Sequence, residues 1–165
     1  MKFKEKKGNF IITDFEELEA YKIACKIEND GIYFYKSLLD KTSGRKLKET
    51  LNFLLGEEKK HLKTFTAAQL RAAKDKEDAY EDEDILNSMD YGIFQPYQNI
   101  DELNKVLDNS LKALKLGIVI EDKSIKFYTA CQEKVSSPEA KKELSGIIRE
   151  EEKHKHLLSG LLKDY

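Results

Sequence analysis

The feature that most constrains the fold is a pattern of residues that occurs twice along the chain. Three polar residues of the first half recur 93 positions later: Glu28, Glu58 and His61 correspond to Glu121, Glu151 and His154. Apolar residues flank each of them at spacings of three and four, the periodicity of a helix that buries one stripe. A constant offset indicates an internal duplication. We therefore predict one domain, residues 1–165, built from similar halves at about 14–73 and 102–165.

Groups of turn-forming residues divide the chain into four long helical stretches. The predicted helices run over about 15–39, 45–73 and 102–133, with the last beginning after Ser137. Thr13 and Glu16 have the spacing of a capping box before the first helix, and Pro138 suits a first helical position. The sequence thus predicts an all-α fold, a four-helix bundle with a long crossover between its second and third helices.

The repeated polar residues are predicted to lie at one depth of this bundle. In each half, the glutamate of the first helix and that of the second are about equally far from the intervening turn, so a hairpin brings them level. Each unpaired carboxylate in an apolar interior costs on the order of several kcal/mol, and like charges raise that cost. No inward Lys or Arg is expected nearby. Two divalent cations would offset the charge, with the ligands Glu28, Glu58, His61, Glu121, Glu151 and His154.

The donor types favour particular metals. Oxygen ligands with imidazole and without thiolate suit iron, while manganese and zinc also fit. We predict two iron ions, because carboxylates that move between terminal and bridging positions suit an ion pair that changes oxidation state. Cys25 and Cys131 are the only cysteines and lie far apart in sequence, which excludes a CxxC pair and a four-cysteine metal site.

At these residues the chain resembles the rubrerythrin family of the ferritin-like superfamily. The resemblance covers nearly the whole chain except the first dozen residues. It rests on the motifs "EKKH" (58–61) and "EEKH" (151–154), and on "IENDGIYFY" and "IEDKSIKFY" 93 positions apart. It implies a non-haem di-iron oxidoreductase that reacts with hydrogen peroxide or dioxygen. It also implies that Tyr35 and Tyr128 donate hydrogen bonds that orient the ligating carboxylates.

Two departures from the family pattern change what is expected. Full-length rubrerythrins carry a rubredoxin-like module with four cysteine ligands, and this chain has only two cysteines. An external electron donor, rubredoxin-like or other, is therefore expected. The peroxidases of the family have a further glutamate one turn after the third-helix ligand, where this chain has Ser124. Whether peroxidase turnover survives this change is open from the sequence.

Two alternative functions fit the same residues: a ferroxidase or iron-handling protein of ferritin type, and a regulatory bundle that metal ions only stabilise. Assembly into a closed cage would favour the iron-handling protein. A bound metal that does not change oxidation state would favour the regulatory bundle.

Lys and Arg are interspersed with Asp and Glu at a net charge of −2, so no nucleic-acid partner is expected. No apolar run approaches the roughly 20 residues of a membrane helix, and no secretory signal is evident. We expect a cytoplasmic homodimer.

Overall fold

The computed structural model describes residues 2–73 and 100–164. Within them, the elements are β1 (Lys2–Lys6), β2 (Asn9–Thr13), α1 (Glu17–Lys41), α2 (Arg45–Ala73), α3 (Ile100–Leu107), α4 (Ser110–Gln132) and α5 (Pro138–Leu162). The predominantly helical fold predicted from the sequence is confirmed. None of the described helices combines the length and the apolar character that crossing a lipid bilayer needs.

The four long helices form two helical hairpins that pack against each other. Short connections, residues 42–44 and 133–137, join α1 to α2 and α4 to α5. The hairpins meet where α1 packs on α4 and where α2 packs on α5. This arrangement places one helix of each hairpin beside its counterpart in the other hairpin.

The apolar core consists of two clusters. One includes Phe65, Phe127 and Leu144, and the other includes Leu51, Leu114 and Leu158. Each of the four long helices contributes to both clusters, one towards each end of the helix. Full burial of a leucine or phenylalanine side chain contributes about 1.5–3 kcal/mol, so the clusters together can offset the cost of a polar layer between them.

The N-terminal residues form an antiparallel β-hairpin that the sequence reasoning does not predict. The turn residues Lys7 and Gly8 have φ values of 54° and 77°, the double left-handed conformation of a type I′ turn. Phe10 and Ile12 of β2 are buried, and the Phe10 ring packs edge-on against Phe127 of α4 at a centroid distance of 5.9 Å. An isolated two-stranded hairpin is marginally stable in water. Packing on α4 therefore holds it in place.

The predicted capping box before the first helix is wrong. Thr13 belongs to β2, and Asp14 adopts a left-handed conformation with φ of 51°. The N-cap residue of α1 is Glu16, which makes no side-chain capping hydrogen bond. The helix therefore begins at Glu17, and the chain turns between β2 and α1 through Asp14, a residue type that tolerates positive φ better than most.

The predicted third helix is also wrong, because it is broken in two. α3 ends at Leu107 and α4 begins at Ser110, where the Asn109 side chain accepts a hydrogen bond from the Lys112 N–H at 2.9 Å. Asparagine competes with the helical backbone in this way and favours caps. The second helix and the start of the last are confirmed, with Ser137 capping the Ala140 N–H at 3.3 Å. The predicted crossover falls largely on residues 74–99, outside the described residues.

Candidate metal centre

A layer of buried acidic and imidazole side chains lies between the two apolar clusters. No member is more than 4% exposed. Its members come from all four long helices: Glu28 from α1, Glu58 and His61 from α2, Glu121 from α4, and Glu151 and His154 from α5. All six ligands predicted from the sequence are therefore brought together. The buried hydroxyl of Ser124 lies one helical turn beyond Glu121.

The local sequence explains why these side chains point inwards. Glu58 and His61 are three residues apart on α2, so they lie one above the other on the same face. Leu54 and Phe65 continue that face into the two apolar clusters and are fully buried. The apolar neighbours thus fix the rotation of the helix, and the polar pair is buried with them.

The six side chains form two overlapping groups that could hold metal ions. We call Glu28, Glu58, His61 and Glu151 the His61 position, and Glu58, Glu121, Glu151 and His154 the His154 position. In each group, one ligand atom of every residue lies within 4.8 Å of those of the others. Glu58 and Glu151 belong to both groups. Each position also has one glutamate and one histidine of its own, supplied by the two helices of a single hairpin.

Unsatisfied polar atoms indicate that the layer is suited to a cation. Within the described residues, three buried side-chain atoms have no hydrogen-bond partner: Glu28 Oε2, Glu58 Oε1 and His61 Nδ1. Leaving such an atom unpaired costs about 1–3 kcal/mol. His61 Nδ1 lies 3.1 Å from Glu151 Oε1 and 3.5 Å from Glu28 Oε2. The three atoms belong to residues of one group whose ligand atoms lie within 4.8 Å of one another, so the residues fit a metal site.

His154 faces the same layer from the opposite hairpin. Its Nδ1 lies 2.9 Å from Glu151 Oε2, 3.4 Å from Glu58 Oε1 and 3.9 Å from Glu121 Oε1. The His154 and His61 rings stack with a centroid distance of 5.5 Å and an interplanar angle of 22°. Both imidazoles therefore lie side by side on α2 and α5, with their Nδ1 atoms directed at the glutamates.

Three of the carboxyls resist ionisation in the metal-free layer. Burial raises the pKa of Glu28, Glu58 and Glu121, and for Glu58 and Glu121 the pKa lies well above its usual range. The negative charge of Glu151 raises all three further. The layer thus keeps protons where cations would otherwise balance its charge, and metal binding would release them.

Glu151 behaves differently because both histidines contact it. Burial opposes its ionisation, but the contacts with His154 and His61 outweigh burial and lower the pKa of Glu151 to about 2. Burial likewise opposes the charged form of each histidine. The contacts with Glu151 and with Glu28 raise the pKa of His61 to about 12, and those with Glu151 and Glu58 raise that of His154 to about 9. Glu151 is the anion that pairs both imidazolium rings.

Two buried tyrosines connect the hairpins across the layer. The Tyr35 hydroxyl on α1 donates a hydrogen bond to Glu121 Oε1 on α4, and the Tyr128 hydroxyl on α4 donates one to Glu28 Oε1 on α1. Burial, together with the negative charge of the bonded glutamate, raises the pKa of each tyrosine well above its usual range. The two tyrosines that the family resemblance singles out thus each donate a hydrogen bond to a buried glutamate of the layer.

Two residues at the outer edge of the layer were not identified from the sequence. Glu150 Oε2 lies 3.0 Å from His61 Nε2, and the Phe53 ring packs edge-on against the His154 ring at a centroid distance of 6.3 Å. Glu150 carries one sequence signal, since it directly precedes Glu151 and its counterpart 93 positions earlier is also a glutamate, Glu57. Phe53 carries none, because its counterpart is Gly146.

A glycine provides the space that the Glu58 carboxylate occupies. A Cβ atom at Gly31 of α1 would lie 3.1 Å from Glu58 Oε2 and 3.5 Å from its carboxyl carbon. The counterpart of Gly31 is Ser124, so a small buried residue follows the first-helix glutamate by one turn in each half. At Gly31, any larger side chain would press on a carboxylate that belongs to both metal positions.

We predict that Gly31→Ala weakens metal binding about tenfold, which corresponds to about 1.4 kcal/mol. The added methyl group would displace the Glu58 carboxylate from both positions. Gly56→Ala on α2 is the matched control, because a Cβ there meets nothing within 4 Å. That control should keep metal affinity and gain about 0.5–1 kcal/mol of helix stability. Isothermal titration of the metal-free variants tests both, and equal affinities for Gly31→Ala and the parent would contradict the prediction.

Comparisons of this chain with protein-family models, with curated proteins and with solved structures found no match. What the protein does is therefore inferred from the site itself. The site consists of two overlapping groups of buried glutamate and histidine that could hold metal ions.

Proposed function

We propose that this protein is a ferritin-like four-helix bundle of rubrerythrin type, which binds two iron ions and acts as an oxidoreductase on hydrogen peroxide or dioxygen. One observation carries the proposal: the two ligand groups overlap in Glu58 and Glu151. A site for one ion needs no second histidine and no shared carboxylates. Two shared carboxylates between two histidine-containing groups match the arrangement known for di-metal carboxylate bundles.

The donor set favours iron within this proposal. Each group offers three carboxylates and one imidazole, and neither includes a thiol. Of the cysteines, Cys131 lies in an apolar cluster and the Cys25 thiol lies 3.8 Å from the Thr66 hydroxyl. Hard oxygen donors with imidazole suit iron and manganese, and zinc can bind such a set as well. Unlike zinc, iron supports redox chemistry with a small oxygen species.

In this proposal each of the six residues has a role in binding the two ions. Glu28 and His61 would hold one ion and Glu121 and His154 the other, and Glu58 and Glu151, which belong to both groups, would help to hold both. The chemistry that bound iron supplies is electron transfer and Lewis-acid activation of peroxide or dioxygen.

The surrounding side chains would keep these ligands in place. The hydroxyls of Tyr35 and Tyr128 orient the carboxylates of Glu121 and Glu28 through their hydrogen bonds. The apolar clusters on both sides exclude water, which strengthens every electrostatic interaction in the layer. In this proposal the electrons come from an external donor, rubredoxin-like or other, and the working form is a cytoplasmic homodimer.

The test is reconstitution of the metal-free protein with ferrous iron under anaerobic conditions, followed by metal counting and addition of hydrogen peroxide. We expect about two irons per chain and a near-ultraviolet absorption that grows as peroxide oxidises them. The variant Glu152→Gln, at an exposed residue beside Glu151, should behave like the parent. Binding of one ion or none, or iron that does not respond to peroxide, would contradict the proposal.

The same preparation separates the alternatives. Assembly into a large closed particle that accumulates many irons would favour an iron-handling protein of ferritin type. Stoichiometric metal that raises stability without any redox response would favour a metal-stabilised regulatory bundle. Size-exclusion chromatography with light scattering, together with the peroxide experiment, gives both readings.

A further inference from the structure

We propose that the two metal positions are not equivalent, and that the His61 position binds its ion first and more tightly because Glu150 orients His61. This inference rests on the proposed two-metal site. It concerns residues outside the six ligands, at the places where the two halves of the chain have diverged.

His61 is held by its outer nitrogen. Its Nε2 donates to Glu150 Oε2 at 3.0 Å, so the ring is fixed with Nδ1 directed at the layer. Glu150 lies on α5 and its side chain is 44% exposed, so it reaches His61 on α2 from the neighbouring hairpin. A metal-ligating histidine that donates its other N–H to a carboxylate has a fixed tautomer and a more basic ligand nitrogen. Loss of such a partner typically costs about 10–100-fold in metal affinity.

Glu57, the counterpart of Glu150, is not seen to bond to the outer nitrogen of His154. Glu57 accepts a hydrogen bond from Lys60, three residues along the same helix. Instead, the ring of Phe53, a residue that is 51% exposed, packs against the His154 ring. A phenyl ring offers no carboxylate oxygen to an imidazole N–H. The two halves thus repeat the ligands but differ in what surrounds each histidine.

The two positions also differ in the hydrogen bonding of the ligand atoms that face the buried layer. The unsatisfied atoms Glu28 Oε2 and His61 Nδ1 belong to residues of the His61 position alone, and the third, Glu58 Oε1, belongs to a residue that both positions share. In contrast, His154 Nδ1 already has a hydrogen bond with Glu151 Oε2 at 2.9 Å. At the His61 position, Glu28 Oε2 and His61 Nδ1 have no hydrogen bond, although Glu151 Oε1 lies 3.1 Å from that nitrogen. An ion at the His154 position must first replace an existing hydrogen bond.

Titration of the metal-free protein with Co²⁺, followed by calorimetry and visible absorption, tests this inference. We expect two resolved steps that differ at least about tenfold in affinity. Glu150→Gln keeps an acceptor oxygen without the charge and should weaken the first step moderately. Glu150→Ala should weaken it about 10–100-fold and change the absorption of the first bound ion. The second step should stay the same in both variants.

Variants on the other half provide matched controls. Glu57→Gln should leave the first step unchanged, because Glu57 is bonded to Lys60. Lys60→Met frees Glu57 and should strengthen the second step. Thermal unfolding of each metal-free variant checks that these substitutions keep the fold.

The outcomes distinguish this inference from the proposed function. Two ions bound with equal affinity, or a first step that survives Glu150→Ala, would overturn the inequivalence and leave the two-metal proposal standing. Binding of fewer than two ions to the parent protein would overturn the proposed function and the inference with it. Loss of the second step alone in Glu150→Ala would show that the order of the positions is reversed.

Discussion

Replacement of Glu151 by alanine is expected to abolish loading of two metal ions and to destabilise the metal-free protein by about 3–5 kcal/mol. Glu151 belongs to both ligand groups, and its oxygens lie 3.1 Å from His61 Nδ1 and 2.9 Å from His154 Nδ1. Without it, two buried imidazolium rings lose the anion that pairs them. Metal content after dialysis and urea unfolding of the metal-free protein measure the two effects separately.

The variant Glu58→Gln gives the matched comparison. Glu58 is also shared by both positions, but burial and the negative charge of Glu151 hold the pKa of its carboxyl well above the usual range. Because this carboxyl already resists ionisation, glutamine of similar shape should disturb the metal-free layer less than alanine does at Glu151. We expect two-metal loading to be lost while the metal-free stability changes by no more than about 1 kcal/mol. Unchanged metal content in the Glu151→Ala variant would show that the Glu151 carboxylate is not a metal ligand.

Removal of the metal is expected to produce the second large effect, a fall in the melting temperature of at least about 10 °C. Free ion at a thousand times its dissociation constant stabilises the folded protein by about 4 kcal/mol per site. In a chain of this size, about 1 kcal/mol shifts the melting temperature by roughly 2–4 °C. Calorimetric scans with and without a chelator give the comparison, at one pH and one protein concentration.

The Glu58→Gln variant serves as the control for this experiment as well. Its melting temperature should not respond to the chelator, because this variant is expected not to bind the two metal ions. A parent protein that melts at the same temperature with and without the chelator would contradict metal binding in the buried layer.

The six polar residues of the buried layer could be predicted from the sequence because a duplicated helical pattern fixes which residues face the core. Glu58 and His61 are inward wherever Leu54 and Phe65 are inward, and this relation depends on one helix alone. Which glutamates are shared could not be predicted in the same way. The sharing of Glu58 and Glu151 depends on how the two hairpins are rotated and spaced against each other, and no single helix encodes that.

The missed features also depend on contacts between distant segments. The sequence shows only a short apolar run at Phe10, Ile11 and Ile12, and the side chain that packs against the hairpin is Phe127, more than a hundred residues away. The contact between Glu150 and His61 links α5 to α2 in the same manner. The break at Asn109 is the exception, because its side-chain cap is local. There the apolar periodicity on both sides favoured one continuous helix.

Each metal position takes ligands from both hairpins: His61 and Glu28 come from one, and Glu151 from the other. A single hairpin therefore cannot form either position, and half of this chain would have to pair with a second copy of itself. In a dimer of two identical copies, the two metal positions would have identical surroundings. Because the two halves here are parts of one chain, their sequences can differ, and a glutamate lies beside one histidine while a phenylalanine lies beside the other.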